Sequence, residues 1–190
     1  GVVTKILPRR NYIIRRASNL SKESHIIAAN VDQAFLVVSL FLPSTNCEFI
    51  DRFLVTAEAY RIPVTLLLNK CDLYATDALQ DAQTEFLKIY RSAGYEVIEL
   101  SATQQTGIDA FKKMLPGKTS LLSGNSGVGK STLIRAIDPS LDIRIGAVSA
   151  SSSKGKHTTT FSEMYPLAGG GYLIDTPGIK GFGLIDIDEA

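Results

Sequence analysis

The sequence has few cysteines and no long apolar run. Its 190 residues include two cysteines, Cys47 and Cys71, and their spacing is unlike that of a metal site. Two thiols in a chain of this size are typical of a reducing compartment rather than of a disulfide framework. No apolar stretch approaches the ~18 residues of a membrane-spanning helix, and no signal peptide is recognisable. These absences exclude a disulfide-rich secreted domain and a membrane span, so we expect a soluble protein of the cytoplasm.

The charge of the chain is nearly balanced. Its formal net charge is +1, with 45% hydrophobic and 21% charged residues, which is typical of a globular protein with a substantial core. No overall field would attract nucleic acid, so any such binding must use a local patch. Four arginines near the start form one such cluster: Arg9, Arg10, Arg15 and Arg16. They either keep a solvent-exposed hairpin soluble or contact RNA phosphates.

Residues 1–29 differ in pattern from the rest of the chain. Two short β-type runs, Val2–Leu7 and Tyr12–Ile14, flank a segment with proline and arginine. So few short strands are too small a unit to be stable alone. We therefore predict that residues 1–29 are the last strands of a small β domain and that a second domain follows.

From Asp32 onward, apolar runs alternate with amphipathic segments. Residues 34–40 and 64–68 have the continuity of strands buried on both faces, and residues 97–100 and 119–122 are predicted as a third and a fourth strand. Apolar residues recur at helical spacing in residues 48–60, and further helices are predicted at 77–91, at 108–115 and from 130 onward. The glycines at 169–171 predict a hairpin of residues 160–167 with 172–175, after a polar loop at 149–160. The alternation predicts an α/β fold, a mostly parallel sheet with helices on both faces and ligands at the carboxyl ends of its strands.

Residues 124–131 match the phosphate-binding pattern G-x-x-x-x-G-K-[ST], between a predicted strand and a predicted helix. Glycines let the backbone wrap a polyphosphate with its N–H groups pointing inward, and the helix N-terminus adds partial positive charge. Lys130 should reach the β- and γ-phosphates, and Ser131 should ligate Mg²⁺. The predicted phosphate-binding residues are Gly124, Asn125, Ser126, Gly127, Val128, Gly129, Lys130, Ser131 and Thr132.

Two segments that follow buried strands are suited to a guanine base. In the Asn-Lys-Cys-Asp tetrapeptide that begins at Asn69, the Asp72 carboxylate can accept hydrogen bonds from guanine N1–H and N2–H₂, which adenine does not offer. The Lys70 stem can lie over the base, and Asn69 can either brace the loop or touch the base edge. Ser101 and Ala102 end the next strand, where the Ala102 N–H would meet guanine O6. Together with the phosphate loop, these segments predict a site for GTP and GDP.

The Mg²⁺ side of the site is predicted after the polar loop. Asp175 ends a strand and is followed by Thr-Pro-Gly, so its carboxylate is suited to hold Mg²⁺ through water. The Gly178 N–H would then meet the γ-phosphate. One hydroxyl of Thr158, Thr159 and Thr160 should complete the Mg²⁺ shell, and we choose Thr159. The predicted metal ligands are therefore Ser131, Thr159 and Asp175.

The glutamine that orients the attacking water in Ras-like enzymes has no counterpart here. The position just after the Asp-x-x-Gly segment is Ile179, which cannot hydrogen-bond to water. Another side chain must position the nucleophile, and His157 in the adjacent polar loop is the candidate. The predicted catalytic residues are therefore His157 and Lys130.

The order of these segments is unusual. In Ras-like proteins the phosphate loop comes first, whereas here the base-binding segments precede it, which indicates a circular permutation. Three short segments add to this order: Gly-Lys-His-Thr-Thr-Thr at residues 155–160, Leu-Pro-Arg-Arg at 7–10 and Asn-Leu-Ser-Lys at 19–22. Together these features closely resemble the ribosome-small-subunit-dependent GTPase A family, and the resemblance covers essentially the whole chain.

The resemblance implies a GTP hydrolase that acts in late maturation of the 30S ribosomal subunit and is stimulated by that subunit. It implies the 30S subunit and its rRNA as partners, and His157 as the catalytic loop histidine; we expect a monomer with no membrane partner. It also implies an N-terminal OB-fold, a central GTPase domain and a C-terminal zinc-binding domain. Residues 1–29 would then be the C-terminal part of the OB-fold, and residues 30–190 the permuted GTPase domain. No Cys/His cluster follows Asp175, so no zinc site is carried over, and we expect a piece of a longer protein.

Two other interpretations of the motifs stay open. An ATP-dependent P-loop kinase would share the phosphate loop, although the tetrapeptide from Asn69 to Asp72 argues against it. A non-catalytic ribosome- or RNA-binding module, with nucleotide as a structural ligand, would explain Ile179 and the modest net charge. The two differ in a measurable way, because the first predicts competition by ATP and the second predicts no stimulated GTP turnover.

Overall fold

The structure is a computed structural model that describes residues 2–16, 24–141 and 162–176. The strands in these residues are β1 (Tyr12–Arg16), β2 (Ser24–Ala29), β3 (Gln33–Val38), β4 (Val64–Leu68), β5 (Glu96–Glu99), β6 (Thr119–Gly124), β7 (Glu163–Pro166) and β8 (Tyr172–Asp175). The helices are α1 (Cys47–Ala59), α2 (Asp77–Ser92), α3 (Ile108–Lys113) and α4 (Lys130–Ile137), with a 3₁₀ turn at Cys71–Leu73.

The two longest helices begin where the sequence supplies a capping side chain. Asn46 accepts a hydrogen bond from the Glu48 N–H at 2.9 Å before α1, and Thr76 accepts one from the Leu79 N–H at 3.4 Å before α2. Such caps satisfy N–H groups that have no partner within the helix. After α2, Gly94 has a φ of +88°, the left-handed conformation that ends many helices.

Among the described residues, six strands form the central sheet in the order β5-β4-β3-β6-β8-β7. All neighbouring pairs are parallel except β7 with β8, which confirms the prediction of a mostly parallel sheet. The chain moves outward from β3 to β4 and β5, then returns to β6 on the other side of β3. The strand order therefore reverses between β3 and β6. Beyond the carboxyl ends at such a reversal lies the crevice in which α/β sheets bind ligands.

Alternate side chains of β3 enter two different hydrophobic clusters. Leu36 and Val38 belong to the cluster that includes α1 and α2, whereas Phe35 and Val37 belong to the cluster that includes α3 and α4. All four side chains are fully buried, and the ring of Phe35 packs against Phe111 with centroids 4.7 Å apart. Helices therefore cover both faces of the sheet, as predicted. Truncating a ring such as Phe35 to alanine typically costs about 3–5 kcal/mol.

A hairpin of β1 and β2 is attached to this sheet. Its Ile13 and Ala28 side chains belong to the same cluster as α1 and α2. The Arg10 guanidinium donates to Asp32 Oδ1 at 2.8 Å, and the other oxygen of that carboxylate accepts the Thr119 N–H at 2.8 Å. The hydrogen bond from Thr119, followed by that from Arg10, lowers the pKa of Asp32. The hairpin is thus linked to the first residue of β6, and the domain boundary after residue 29 stays a prediction.

The predicted elements are largely confirmed, with one clear error. The run Val2–Leu7, predicted as β-type, lies outside every described strand, and Val2, Val3 and Ile6 are at least 80% exposed. No described strand pairs with this run, and an isolated strand leaves its N–H and C=O groups without partners. The predicted polar loop at 149–160 lies outside the described residues. Within the described part of the chain, no helix has the length and apolar character needed to cross a membrane.

Candidate functional site

The predicted phosphate loop leaves the carboxyl end of β6 and enters α4 at Lys130. Gly124 and Gly129 have φ values of +149° and +102°, which L side chains rarely adopt. A Cβ at Gly124 would overlap the Val37 carbonyl oxygen, and one at Gly129 would overlap the Asn69 amide nitrogen. Val128 is fully buried under the loop, in the cluster with α4. The loop is therefore held close to β3 and to the segment after β4, where only glycine fits.

Lys130 lies beneath the loop with 8% of its surface exposed. Its ammonium donates to the carbonyl oxygens of Gly124 at 2.7 Å and Asn125 at 3.0 Å. Burial lowers the pKa of Lys130, and the nearby negative charge of Asp175 partly offsets this effect. The two carbonyl contacts fix a positive charge at the centre of the loop, as an anion-binding loop requires.

Asp175 ends β8 beside the phosphate loop. In the sheet it is the register partner of Leu122 in β6 and of Glu163 in β7. Burial raises the pKa of the Asp175 carboxyl to about 6; the charge of Lys130 acts against this shift, and that of Glu163 adds to it. The next residue, Thr176, is buried, and both its N–H and its hydroxyl donate to the Leu122 carbonyl, at 3.1 Å and 3.0 Å. This anchor fixes where the carboxylate lies.

Asn69 joins the phosphate loop to the two predicted base-binding segments. Its side chain is 2% exposed; Nδ2 donates to the Val128 carbonyl at 2.8 Å, and Oδ1 accepts the Ala102 N–H at 3.1 Å. Of the two roles open to Asn69, the structure shows the brace. The Ala102 N–H already has a partner, so its predicted contact with guanine O6 would have to share or replace this bond.

The Lys70 side chain extends from the segment of residues 69–72, here called the base loop, to the phosphate loop. It has a φ of +65°, and its ammonium donates to the Gly127 carbonyl at 2.8 Å and also to the Leu42 carbonyl. Burial lowers the pKa of Lys70, whereas the charge of Asp72 acts in the opposite direction. With its head fixed at both carbonyls, the alkyl stem is positioned as a surface on which a base can lie.

Buried oxygens mark where this site can accept a ligand. Within the described residues, four buried side-chain oxygens have no hydrogen-bond partner: Asp72 Oδ1, Ser123 Oγ, Asn125 Oδ1 and Asp175 Oδ1. Such atoms are costly unless something else binds them. Asp72 is the predicted guanine ligand, Asn125 belongs to the predicted phosphate loop and Asp175 is the predicted Mg²⁺ ligand, so three of the four lie where the sequence places ligand contacts. The Ser131 hydroxyl and the Asp175 carboxylate are oxygen ligands suited to Mg²⁺, which keeps several waters when it binds phosphates.

The structure brings most of the predicted residues to one edge of the sheet. The segments that begin at Asn69, Ser101 and Gly124, and the residue Asp175, lie at or just beyond the carboxyl ends of β4, β5, β6 and β8, respectively. Ser101 shapes its own turn, since its hydroxyl accepts the Gln104 N–H at 3.1 Å. The remaining predicted residues are outside the described part of the chain, and their roles stay predictions: His157, Thr158, Thr159, Thr160, Gly178 and Ile179.

Sequence reasoning missed the loop of residues 39–46, between β3 and α1. It supplies the Leu42 carbonyl that holds Lys70, and it is linked to the base loop through the buried hydroxyl of Tyr74. No local pattern identified this loop, because its contacts are made to residues about 30 or more positions away. The one available signal was its place, directly after the central strand β3.

A glycine phosphate loop at the strand-order reversal, with bracing segments that precede it in the chain, defines a circularly permuted P-loop nucleotide-binding domain. Residues 6–185 match the family model described as RsgA GTPase. A small ribosomal subunit biogenesis GTPase RsgA from Phocaeicola vulgatus is 56% identical over 187 residues, which are 98% of this chain and 60% of that protein. A protein of the same name from Christiangramia forsetii is 53% identical over 190 residues.

Solved structures agree with this relationship. The crystal structure of YjeQ from Thermotoga maritima has a TM-score of 0.70 and 37% identity, covering 92% of this chain and 54% of that one. The crystal structure of YloQ, a circularly permuted GTPase, has a TM-score of 0.64 and 30% identity, covering 96% of this chain and 61% of that one. The chain belongs to the RsgA GTPase family. It spans about 60% of the length of the curated relatives it matches.

Proposed function

We propose that the chain binds GTP and GDP with Mg²⁺ and hydrolyses GTP, as the GTPase part of a factor that acts in late maturation of the 30S ribosomal subunit. The observation that carries the proposal is the Asn69 side chain. Its two hydrogen bonds, to Val128 and to Ala102, join the phosphate loop and both base-binding segments into one site. A site built in this way can bind a polyphosphate and a base of the same molecule.

The residues of this site have separate tasks in the proposed reaction. The phosphate-loop amides and the fixed Lys130 ammonium stabilise negative charge on the β- and γ-phosphates, and charge stabilisation is the main catalytic effect in phosphoryl transfer. Bound Mg²⁺ would supply further positive charge to the phosphates. Ser131, Asp175 and Thr159 are the residues that would hold it. His157 would help position the attacking water, since Ile179 offers no hydrogen bond.

The base preference tests the proposal. Asp72→Asn replaces a hydrogen-bond acceptor by an amide that can donate to the O2 carbonyl of xanthine. We expect the variant to lose at least about 100-fold in GDP affinity, because a site built for a specific hydrogen-bond pattern strongly rejects a mismatched base. It should gain affinity for xanthosine diphosphate. Titrations with fluorescent GDP, xanthosine diphosphate and ADP measure both effects.

Asp81→Asn is the control, because Asp81 is an exposed aspartate on α2. It should bind GDP as the wild type does. If Asp72→Asn kept its GDP affinity, or if ADP bound the wild type as well as GDP does, the guanine assignment would be wrong. The second result would favour the kinase alternative.

The wider role in ribosome maturation is supported by the family. Relatives that carry the name small ribosomal subunit biogenesis GTPase span this chain almost completely. From this we infer the 30S subunit and its rRNA as partners, stimulation of GTP turnover by that subunit, a monomeric protein and a cytoplasmic location. Ile179, in place of a water-orienting glutamine, is what favours the alternative of a non-catalytic ribosome-binding module.

A further inference from the structure

The β3–α1 loop, residues 39–46, lies against the phosphate loop at the strand-order reversal. Its Leu42 carbonyl accepts a hydrogen bond from the Lys70 ammonium, which also contacts the Gly127 carbonyl at 2.8 Å. The Pro43 ring lies over Gly127, where an added Cβ would be 3.3 Å from Pro43 Cδ. The β3–α1 loop and the phosphate loop therefore each supply one carbonyl that holds the Lys70 ammonium.

The β3–α1 loop is closed at its base by its own hydrogen bonds. The Ser39 N–H donates to Thr45 Oγ1 at 3.0 Å, and the Thr45 N–H donates to the Ser39 carbonyl at 2.7 Å. The Ser39 hydroxyl donates to the Phe41 carbonyl at 2.7 Å. Because these hydrogen bonds join the two ends of the loop, the loop keeps its shape. The position of the Leu42 carbonyl therefore depends on how Ser39 and Thr45 are held.

The Tyr74 hydroxyl connects the start of the β3–α1 loop to the segment of residues 69–72, which is predicted to bind guanine. It donates to the Asn69 carbonyl at 2.9 Å, accepts the Leu40 N–H at 2.9 Å, and lies 3.5 Å from the Ser39 hydroxyl. The residue is 5% exposed. Burial raises the pKa of Tyr74, so the phenol keeps the proton that it donates. One buried hydroxyl thus links Asn69, which braces the site, with the loop that holds Lys70.

We propose that Tyr74 is a positioning residue for the guanine base. Its hydroxyl fixes the position of the Asn69–Asp72 segment relative to the β3–α1 loop. The inference rests on the proposed guanine-nucleotide function and deepens it. The hydroxyl acts through Asn69 and Lys70 and does not touch the nucleotide itself. A phenylalanine at this position would keep the ring but leave the Asn69 carbonyl and the Leu40 N–H without their shared partner.

Tyr74→Phe is the first test, with affinities for GDP and inosine diphosphate and the dissociation rate of fluorescent GDP as readouts. Inosine lacks the amino group from which Asp72 would accept a hydrogen bond, so the ratio of the GDP and inosine diphosphate affinities reports how well Asp72 is placed. We expect GDP affinity to fall about 5- to 30-fold, the equivalent of losing one or two buried hydrogen bonds. The dissociation rate should rise, and the preference for GDP over inosine diphosphate should decrease.

Tyr90→Phe is the matched control. Tyr90 is 4% exposed, belongs to the same hydrophobic cluster as Tyr74, and its hydroxyl donates to Asp51 Oδ1 at 3.0 Å. Its loss should lower the unfolding midpoint to a similar degree and leave GDP affinity and base preference unchanged. Equal effects of Tyr74→Phe and Tyr90→Phe on GDP binding would reduce Tyr74 to a structural residue and overturn the inference.

A second pair of variants reaches the same loop through a different bond. Thr45→Val removes the acceptor of the Ser39 N–H at nearly constant volume, whereas Thr45→Ser keeps it. We expect Thr45→Val to weaken GDP binding and the preference for guanine as Tyr74→Phe does. Thr45→Ser, which keeps the hydroxyl, should bind GDP with the affinity and preference of the wild type. This pair decides the question if Tyr74→Phe does not fold. Wild-type chain that binds no guanine nucleotide would overturn the proposed function, whereas wild-type binding with unaffected variants would overturn only this inference.

Discussion

Gly129 is a residue of the phosphate loop that lies against the Asn69 side chain. Its φ is +102°, and an added Cβ would overlap Asn69 Nδ2. Gly129→Ala should lose about 1–2 kcal/mol of unfolding free energy, because a left-handed conformation strains any side chain. It should also lose at least about tenfold in GDP affinity, since Asn69 must move away from Val128 or Ala102. Urea unfolding and GDP titration measure the two effects.

Gly94→Ala separates the strain from the clash. Gly94 has a φ of +88°, but an added Cβ there would meet nothing within 4 Å. This variant should lose a similar unfolding free energy while binding GDP as the wild type does. A Gly129→Ala protein that is destabilised but binds GDP normally would show that the contact with Asn69 does not shape the site.

At the same scale, the sequence identified the right residue types but not their partners. Asn69 stood out because its tetrapeptide follows an apolar strand, yet whether it braces the loop or touches the base depended on Val128, 59 positions away. No pattern in the sequence identified Tyr74 as part of the site. A buried tyrosine is ordinary in sequence, and its meaning comes from Leu40 and Asn69, which only the folded chain brings together.

Among the elements, β8 has the most direct consequence for the chemistry of the site. It lies between β6 and β7, and its Leu173 is fully buried, so the strand places the Asp175 carboxyl beside the buried core of the sheet. The pKa of Asp175 is raised from 3.8 to about 6 by this burial. The folded chain therefore binds this proton more tightly than the unfolded chain does. Its stabilising contribution is complete below about pH 4 and is lost as the pH rises through about 6.

Asp175→Asn should remove this pH dependence. Without Mg²⁺ and nucleotide, the wild type should lose on the order of 2 kcal/mol of unfolding free energy between pH 4 and pH 7 relative to the variant. The measurement is urea unfolding of both proteins across that range, in the presence of a chelator. Parallel stability curves for the two proteins would mean that Asp175 is not desolvated in the free chain.

The elements themselves were largely predictable, because their signals are local. The strand predicted at residues 64–68 has the bounds of β4, and the helix predicted at 77–91 differs from α2 by one residue. Apolar runs and capping side chains lie within the element they define. The prediction of a strand at Val2–Leu7 was wrong because a strand must also pair with a neighbouring strand, and β propensity contains no information about neighbours. The reversal of strand order between β3 and β6 is likewise a property of the whole chain.

At the scale of the whole molecule, the proposal can be tested through the ribosomal subunit. The full-length protein should hydrolyse GTP faster when 30S subunits are added, and His157→Ala should abolish most of that stimulation while keeping GDP affinity, because the histidine would act on water and not on binding. Single-turnover GTP hydrolysis with and without subunits measures this, and the 190-residue chain is measured in the same way.

His25→Ala is the control, since it removes the other histidine of the chain, to which no role is assigned. Normal stimulation in His157→Ala would remove the histidine from the mechanism. No stimulation of the wild-type full-length protein would instead favour the non-catalytic ribosome-binding module.

The attachment of the hairpin through Asp32 connects it to the strand that leads into the phosphate loop. Arg10 holds one oxygen of this carboxylate and the N–H of Thr119 holds the other, while the far end of the same strand, at Gly124, becomes the phosphate loop. A strand of this length spans about 17 Å. The polar contacts that attach the hairpin and the start of the phosphate loop therefore lie at opposite ends of one strand, so β6 is the shortest connection between the hairpin and the phosphate loop.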